Sequence, residues 1–299
     1  MAGWKWVQAQ TKIAIAGAVA PLLPATTRRG VVMWHQGRCG STVLGELLNQ
    51  HPDVRWLGEV FHRYQRVNMA RPQFARDLRS AQVRAGRRVA GVELKGLSGQ
   101  QLSVLGVDLD GFIDVAKANG FTACVFLTRR NTLRRIVSVQ IMASGLRTTL
   151  NMSAGSSEQL RGSLTLPVGP IQVRGQLASL LSIAAADGSP ATPNHPRYGS
   201  LLEMIDTIGR ETHEARARVG ARYPDVVDLC YEDHIESDPR VAYSMVCEHL
   251  GLPNYPAQVT LQRINTRPLR EVIANFDAVA DLLRGTDHEW MLDDSTSPA

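Results

Sequence analysis

Lysine is almost missing from this chain. Of 33 basic residues only Lys5, Lys12, Lys95 and Lys117 are lysine, and the others are arginine. Aromatic residues are also sparse at 6%, and no RNA- or DNA-reading motif occurs. The basic balance, a net charge of +5 with pI near 9.2, therefore points to a polyanionic small ligand and away from nucleic acid. Cysteine is limited to Cys39, Cys124, Cys230 and Cys247, which lie far apart and form no C-x-x-C pair. That fits a reduced, cytoplasmic set better than a disulfide framework. The histidines lack ligand spacing, so no metal is expected. Long apolar runs are absent too. Ile13 to Leu23 is the longest candidate near the start, well short of the roughly 20 residues a membrane span needs. Trp4, Lys5, Trp6 and Lys12 precede it, so residues 1–29 read as an amphipathic or membrane-proximal segment, with peripheral membrane contact as its partner.

What is present is alternation. A chain of 299 residues, 44% hydrophobic, can bury a large core. Strand-like runs occur at Val31 to Trp34, Val54 to Leu57, Val89 to Leu94, Ala123 to Leu127 and Val226 to Leu229. Helical spacing occupies Thr42 to Gln50, Phe74 to Ala85, Phe112 to Asn119, Thr132 to Ser144, Ser200 to Arg222 and Arg240 to Leu250. The order predicts an α/β domain over 30–299, with a mostly parallel sheet covered on both faces and ligands at the strands' carboxyl ends. Residues 146–199, rich in Ser, Gly, Thr and Pro, interrupt the pattern and read as an insertion, either an acceptor lid or surface decoration.

The strand at Val31 breaks into Gln36-Gly37-Arg38-Cys39-Gly40-Ser41-Thr42 and then into a helix. Backbone N–H groups and the helix dipole converge there on a phosphate-sized anion. The glycines allow close approach, Arg38 adds a fixed charge, and Ser41 and Thr42 add hydroxyls. A nucleotide P-loop would carry Lys immediately before its hydroxyl residue; here Gly40 holds that place, and the cation has moved to the front of the turn.

With this loop, the segment from Thr128 to Ser138 and the turn Tyr231-Glu232-Asp233, the chain resembles the sulfotransferases that use 3′-phosphoadenosine 5′-phosphosulfate (PAPS). The resemblance runs from about residue 30 to 292, is poor between about 146 and 200, and implies a P-loop NTPase-like three-layer fold. It implies that Gly37, Arg38, Cys39, Gly40, Ser41 and Thr42 bind the 5′-phosphosulfate, with Arg38 on the bridging oxygen. Arg130 and Ser138 match the family's R-x7-S pair for the 3′-phosphate. Cys39 stands where relatives often have Ser. It reads as a loop-packing residue, and the local field is expected to lower its pKa. Ile264 to Arg270 resembles, less tightly, a loop that closes over the nucleotide.

The run Asn49-Gln50-His51-Pro52-Asp53-Val54, followed by Leu57-Gly58-Glu59, resembles the carbohydrate and tyrosyl-protein members, whose acidic residue here lies beside the sulfonate. Glu59 is accordingly the expected general base toward a small-molecule or glycan hydroxyl. Its bland alternative is a helix cap or a pair with Arg63. Glu93 is a second acidic candidate, Lys95 a candidate contact for sulfonate or acceptor, His35 and His62 flanking residues, and His51 part of a structural turn. Two readings from other classes remain: a P-loop-like kinase, disfavoured by the missing G-K-[ST], and a non-catalytic nucleotide-binding scaffold.

Overall fold

The computed structural model describes residues 29–61, 74–97, 100–143, 163–166, 168, 200–261 and 267–293. The N-terminal segment expected over 1–29 therefore lies outside the described residues except for Arg29, as do His62, Arg63 and Ile264 to Thr266. No described helix is long and apolar enough to cross a membrane.

Five strands form the described sheet: β1 Gly30–His35, β2 Val54–Trp56, β3 Val89–Lys95, β4 Phe121–Thr128 and β5 Val227–Cys230, in the order β2-β3-β1-β4-β5. Every pairing is parallel. The expected α/β fold is borne out, each apolar run becoming a strand within two residues of its predicted ends. Between strands lie α1 Ser41–Gln50, α2 Phe74–Ala85, α3 Gln101–Leu105, α4 Leu109–Ala118, α5 Thr132–Ala143 and α6 Leu201–Arg222. After β5 come α7 Tyr231–His234, α8 Arg240–His249, α9 Leu269–Val272, α10 Phe276–Leu283 and a 3₁₀ turn at Glu289–Leu292. The short α3, α7, α9 and α10 were not expected, because four to eight residues carry too little periodicity to separate helix from loop.

Alternation along β1 builds the three layers. Val31 and Met33 pack with α1 and α8 in one core, while Val32 and Trp34 pack with α2, α4, α5 and α6 in the other. Burial on both faces explains why the strand is apolar throughout. Capping follows sequence: Asp108 accepts from the Gly111 N–H at the start of α4, and Ser200 from the Glu203 N–H at the start of α6.

The predicted insertion is not wholly peripheral. Leu164 and Leu166, 6% and 1% exposed, sit in the larger core. Leu164 forms a parallel bridge with Ile273, and the Asn275 side chain bonds both N–H and C=O of Leu166.

Because β1 is central, with β3 on one side and β4 on the other, the chain leaves it at a topological switch point. His35 pairs in register with Lys95 and with Leu127, so the loop after β1 opens between the carboxyl ends of three strands.

Candidate active site

The loop from Gly37 to Gly40 is wound by left-handed residues. Gly37, Arg38 and Gly40 have φ of 76°, 61° and 86°, and Arg38 is the one non-glycine among the described residues in that region. Positive φ in a tight turn of this kind suits the close approach of backbone to an anion. Gly40 is required twice: besides its φ, a Cβ there would come within 2.7 Å of Ile235 and 3.1 Å of Tyr231. It also caps α1 without any side-chain acceptor, and no acidic residue occupies the first turn. The positive end of α1 is thus left to whatever anion enters the loop.

The loop's carbonyls are held from behind by arginine. Arg135, 1% exposed on α5, donates from Nε to the Gly37 carbonyl at 3.1 Å and from Nη2 to the Gln36 carbonyl. Arg129 donates from Nη1 to the Arg38 carbonyl at 3.3 Å. Three consecutive carbonyls are thus fixed by arginine, which sets the path of the loop backbone. The Gln36 side chain ties the same point to β4 by accepting the Arg129 N–H at 2.9 Å. Sequence reading missed Arg129, Arg135 and Gln36. Their only signal was the density of arginine just after β4.

Each expected site residue can now be located. Arg38 donates from Nε to the Ser138 hydroxyl at 3.1 Å, joining the loop to α5. Ser41 is buried and Thr42 exposed at the start of α1. Cys39 is fully buried in the core with Leu44 and Leu47, so its thiol packs inside the protein and does not face the loop's ligand. The expectation of a lowered thiol pKa is overturned: burial pushes Cys39 up to about 11, and Arg135 offsets this only in part. Arg130 and Ser138 are not joined in this state. The Arg130 guanidinium forms a two-pronged pair with Asp233 at 2.6 Å and 2.6 Å, while its N–H and that of Asn131 donate to the Glu232 carboxylate. Sequence reading did not find these partners for the Tyr231-Glu232-Asp233 turn. The Ile264 to Arg270 stretch also touches this region, since Arg134 donates to the Arg267 carbonyl at 2.9 Å. His51 is a structural residue, as expected, fixed between the Asp53 N–H and the Pro253 carbonyl.

Glu59 follows β2 and reaches across the cleft to Lys95, with Oε2 at 2.7 Å from Nζ and the Gln101 amide at 3.5 Å. A methyl group at Gly37 would lie 3.6 Å from Lys95 Cε. Lys95 therefore stands between the loop and the Glu59 carboxylate. Behind it are His35 and Glu93. The Gly37 N–H donates to His35 Nδ1 at 3.2 Å, which puts the proton of the neutral ring on Nε2, 3.4 Å from Glu93 Oε2. Burial, then Lys95 and Arg135, hold the His35 pKa down to about 3, so the ring is neutral. Burial pushes Glu93 up to about 7, against a hydrogen bond from the Trp56 indole at 2.7 Å.

His35, Glu59 and Glu93 bring potential metal-ligand atoms within 4.8 Å of one another. The donor set does not suit a cation. The protonated Nε2 offers no lone pair, and the Lys95 ammonium already lies against Glu59. The arrangement suits handling an anion and a proton.

No protein-family profile matches this chain, and no curated protein matches it. Among solved structures, the sulfotransferase from Alicyclobacillus acidocaldarius resembles it at a TM-score of 0.47 and 14% identity, over 80% of this chain and 87% of that one. A likeness that distant assigns no reaction.

Proposed function

We propose that this protein is a sulfotransferase that moves the sulfonate group of PAPS to a hydroxyl acceptor. The observation that carries the reading is the loop itself: left-handed residues at the end of β1, an uncapped α1, and Lys95 with Glu59 facing it. In the reaction the acceptor oxygen forms a bond to sulfur as the bond from sulfur to the bridging oxygen breaks. The products are a sulfate ester, 3′-phosphoadenosine 5′-phosphate and one proton. Glu59 takes that proton, which requires Lys95 to turn from the carboxylate toward the incoming sulfonate, where its charge serves the reaction. Gly37 to Thr42 bind the 5′-phosphosulfate. Arg38 exchanges the Ser138 hydroxyl for the bridging oxygen, which gains charge as the ester cleaves. Arg130 leaves Asp233 for the 3′-phosphate, and Ser138, once released, joins it. No step draws on a metal.

The acceptor class is a carbohydrate or glycolipid hydroxyl, supported by the resemblance around Glu59. The reaction runs in the cytoplasm, with the N-terminal segment as a peripheral membrane contact. The deciding experiment incubates the protein with sulfur-labelled PAPS and a panel of sugar, glycolipid and phenol acceptors, beside ATP with Mg²⁺. Label transfer to a sugar hydroxyl is expected. Phosphorylation from ATP would make it a kinase, and nucleotide binding without turnover a scaffold.

A further inference from the structure

One hydroxyl separates the loop from a buried carboxyl. Glu93, 5% exposed, lies inside β3 with its Oε1 against α1, where a methyl group at Gly45 would approach it to 3.1 Å. Two donors reach it, the Trp56 indole from β2 at 2.7 Å and the Ser41 hydroxyl from α1, and His35 Nε2 from β1 lies 3.4 Å away without a hydrogen bond. The surrounding charged or titratable groups are Glu59 after β2, Lys95 on β3 itself, Cys39 in the loop, and Arg135 of α5 on the far side of His35 and Cys39. His35 cannot take a further proton without losing its bond from the Gly37 N–H. Glu93 can.

We infer that Glu93 takes up a proton when an anion fills the Gly37 to Thr42 loop, so that donor binding is coupled to protonation. The inference rests on the reading that this loop holds the phosphosulfate. A buried carboxylate one side chain away repels a multiply charged donor, with little water between them to screen it. Protonation removes that repulsion. It also reverses the Ser41 bond: facing a carboxylate, Ser41 must donate inward, whereas a protonated Glu93 can donate to Ser41 and free its hydroxyl to donate to the anion. The proton comes from solvent and returns to it when the nucleotide leaves. Burial, with Glu59 adding to it, already places Glu93 near neutrality, so the proton costs little to supply. A bound anion raises the Glu93 pKa further. Affinity is therefore highest below the free-state pKa and falls as pH rises through it, by about three- to tenfold between about pH 6 and 8.

The test is calorimetry of 3′-phosphoadenosine 5′-phosphate binding in two buffers of different ionisation enthalpy, on the wild type and on Glu93→Gln. The nucleotide's own phosphates titrate in both proteins, so the difference isolates Glu93. The wild type should take up about half a proton more than the variant near pH 7, and only the wild type should show the extra pH dependence of affinity. Equal uptake in both overturns the inference. No binding at any pH overturns the donor-site reading and this inference with it, so the two failures are distinct. Should Glu93→Gln fail to fold, infrared difference spectra of the wild type decide. The nucleotide has no carbonyl group, so a protonated-carboxyl C=O band must appear when it is added. Its absence overturns the inference.

Discussion

The two halves of the cleft are held by opposite means. On the β1 side the loop is fixed through backbone: its carbonyls are bound by Arg135 and Arg129, its first amide by His35, and Gly40 by the packing of Ile235 and Tyr231. On the β4 side the cation is fixed by side chains alone. Arg130 and Asp233 meet with side-chain exposures of 33% and 42%, where an ion pair is weak and readily exchanged. The first half is preorganised and suits charge that develops during a reaction. The second is exchangeable and suits recognition of a ligand that must displace something to bind. Substitutions on the loop side should therefore act on rate, and those on the Arg130 side on affinity.

Glu59→Gln should give the largest effect. Turnover is expected to fall by about two to four decades with nucleotide affinity kept, and the acidic limb of the pH–rate profile should vanish. A helix cap would instead cost about 1 kcal/mol of stability and spare the rate, so melting temperature and single-turnover rate measured together decide. Arg38→Ala should lower kcat by about two to three decades, like removal of an oxyanion donor. Arg38→Lys should keep part of the rate. A raised KM with normal kcat would place Arg38 in ground-state binding and break the contrast between the halves.

Arg130→Ala should weaken 3′-phosphoadenosine 5′-phosphate by about one to two decades, the value of a charge-assisted hydrogen bond, while leaving AMP binding nearly unchanged. Equal losses for both nucleotides would remove the 3′-phosphate assignment. Asp233→Asn sharpens the point: releasing Arg130 from its internal partner should hold or improve affinity for the bisphosphate.

The last effect concerns stability. Folding lowers the His35 pKa from 6.5 to about 3, so the unfolded chain binds the extra proton and stability is lost as pH falls between those values. Folding raises the Glu93 pKa from 4.5 to about 7, so the native state binds the proton there and stability is lost as pH rises through that window. From about 4.5 to 6.5 the two slopes oppose and nearly cancel. In Glu93→Gln only the His35 slope remains, about 1.4 kcal/mol per pH unit. The variant should therefore begin to lose stability near pH 6.5, where the wild type holds to about 4.5. Thermal melts across pH 4 to 8 would show this, and parallel curves would contradict it.

The sheet was legible because its inner strands β3, β1 and β4 are buried on both faces along nearly their whole length. An unbroken run such as Val31 to Trp34 marks such a strand without any partner being known. The loop was legible because φ values near +60° to +90° at Gly37 and Gly40 require the residue type that the sequence displays. The partners of the charged groups were not legible. Nothing near Arg130 announces Asp233, a hundred residues later, and nothing near Gly37 announces Arg135. Cys39 was misjudged because its neighbours in sequence are cationic while its neighbours in space are Leu44 and Leu47. Position in the chain shows what a residue can do; burial decides which form it takes.

The central place of β1 also orders events during synthesis. Its two neighbours, β3 and β4, begin at Val89 and Phe121, and the arginine that shapes the loop follows at Arg135. A ribosome releasing this chain exposes the apolar strand first and must make a hundred residues more before the strand can be covered. Contacts so distant in sequence slow folding and leave a sticky intermediate. A nascent fragment ending before α5 would carry every glycine of the loop and none of its shape. Competence to hold an anion thus waits until β4 and the helix after it have been made, about a hundred residues after the loop itself.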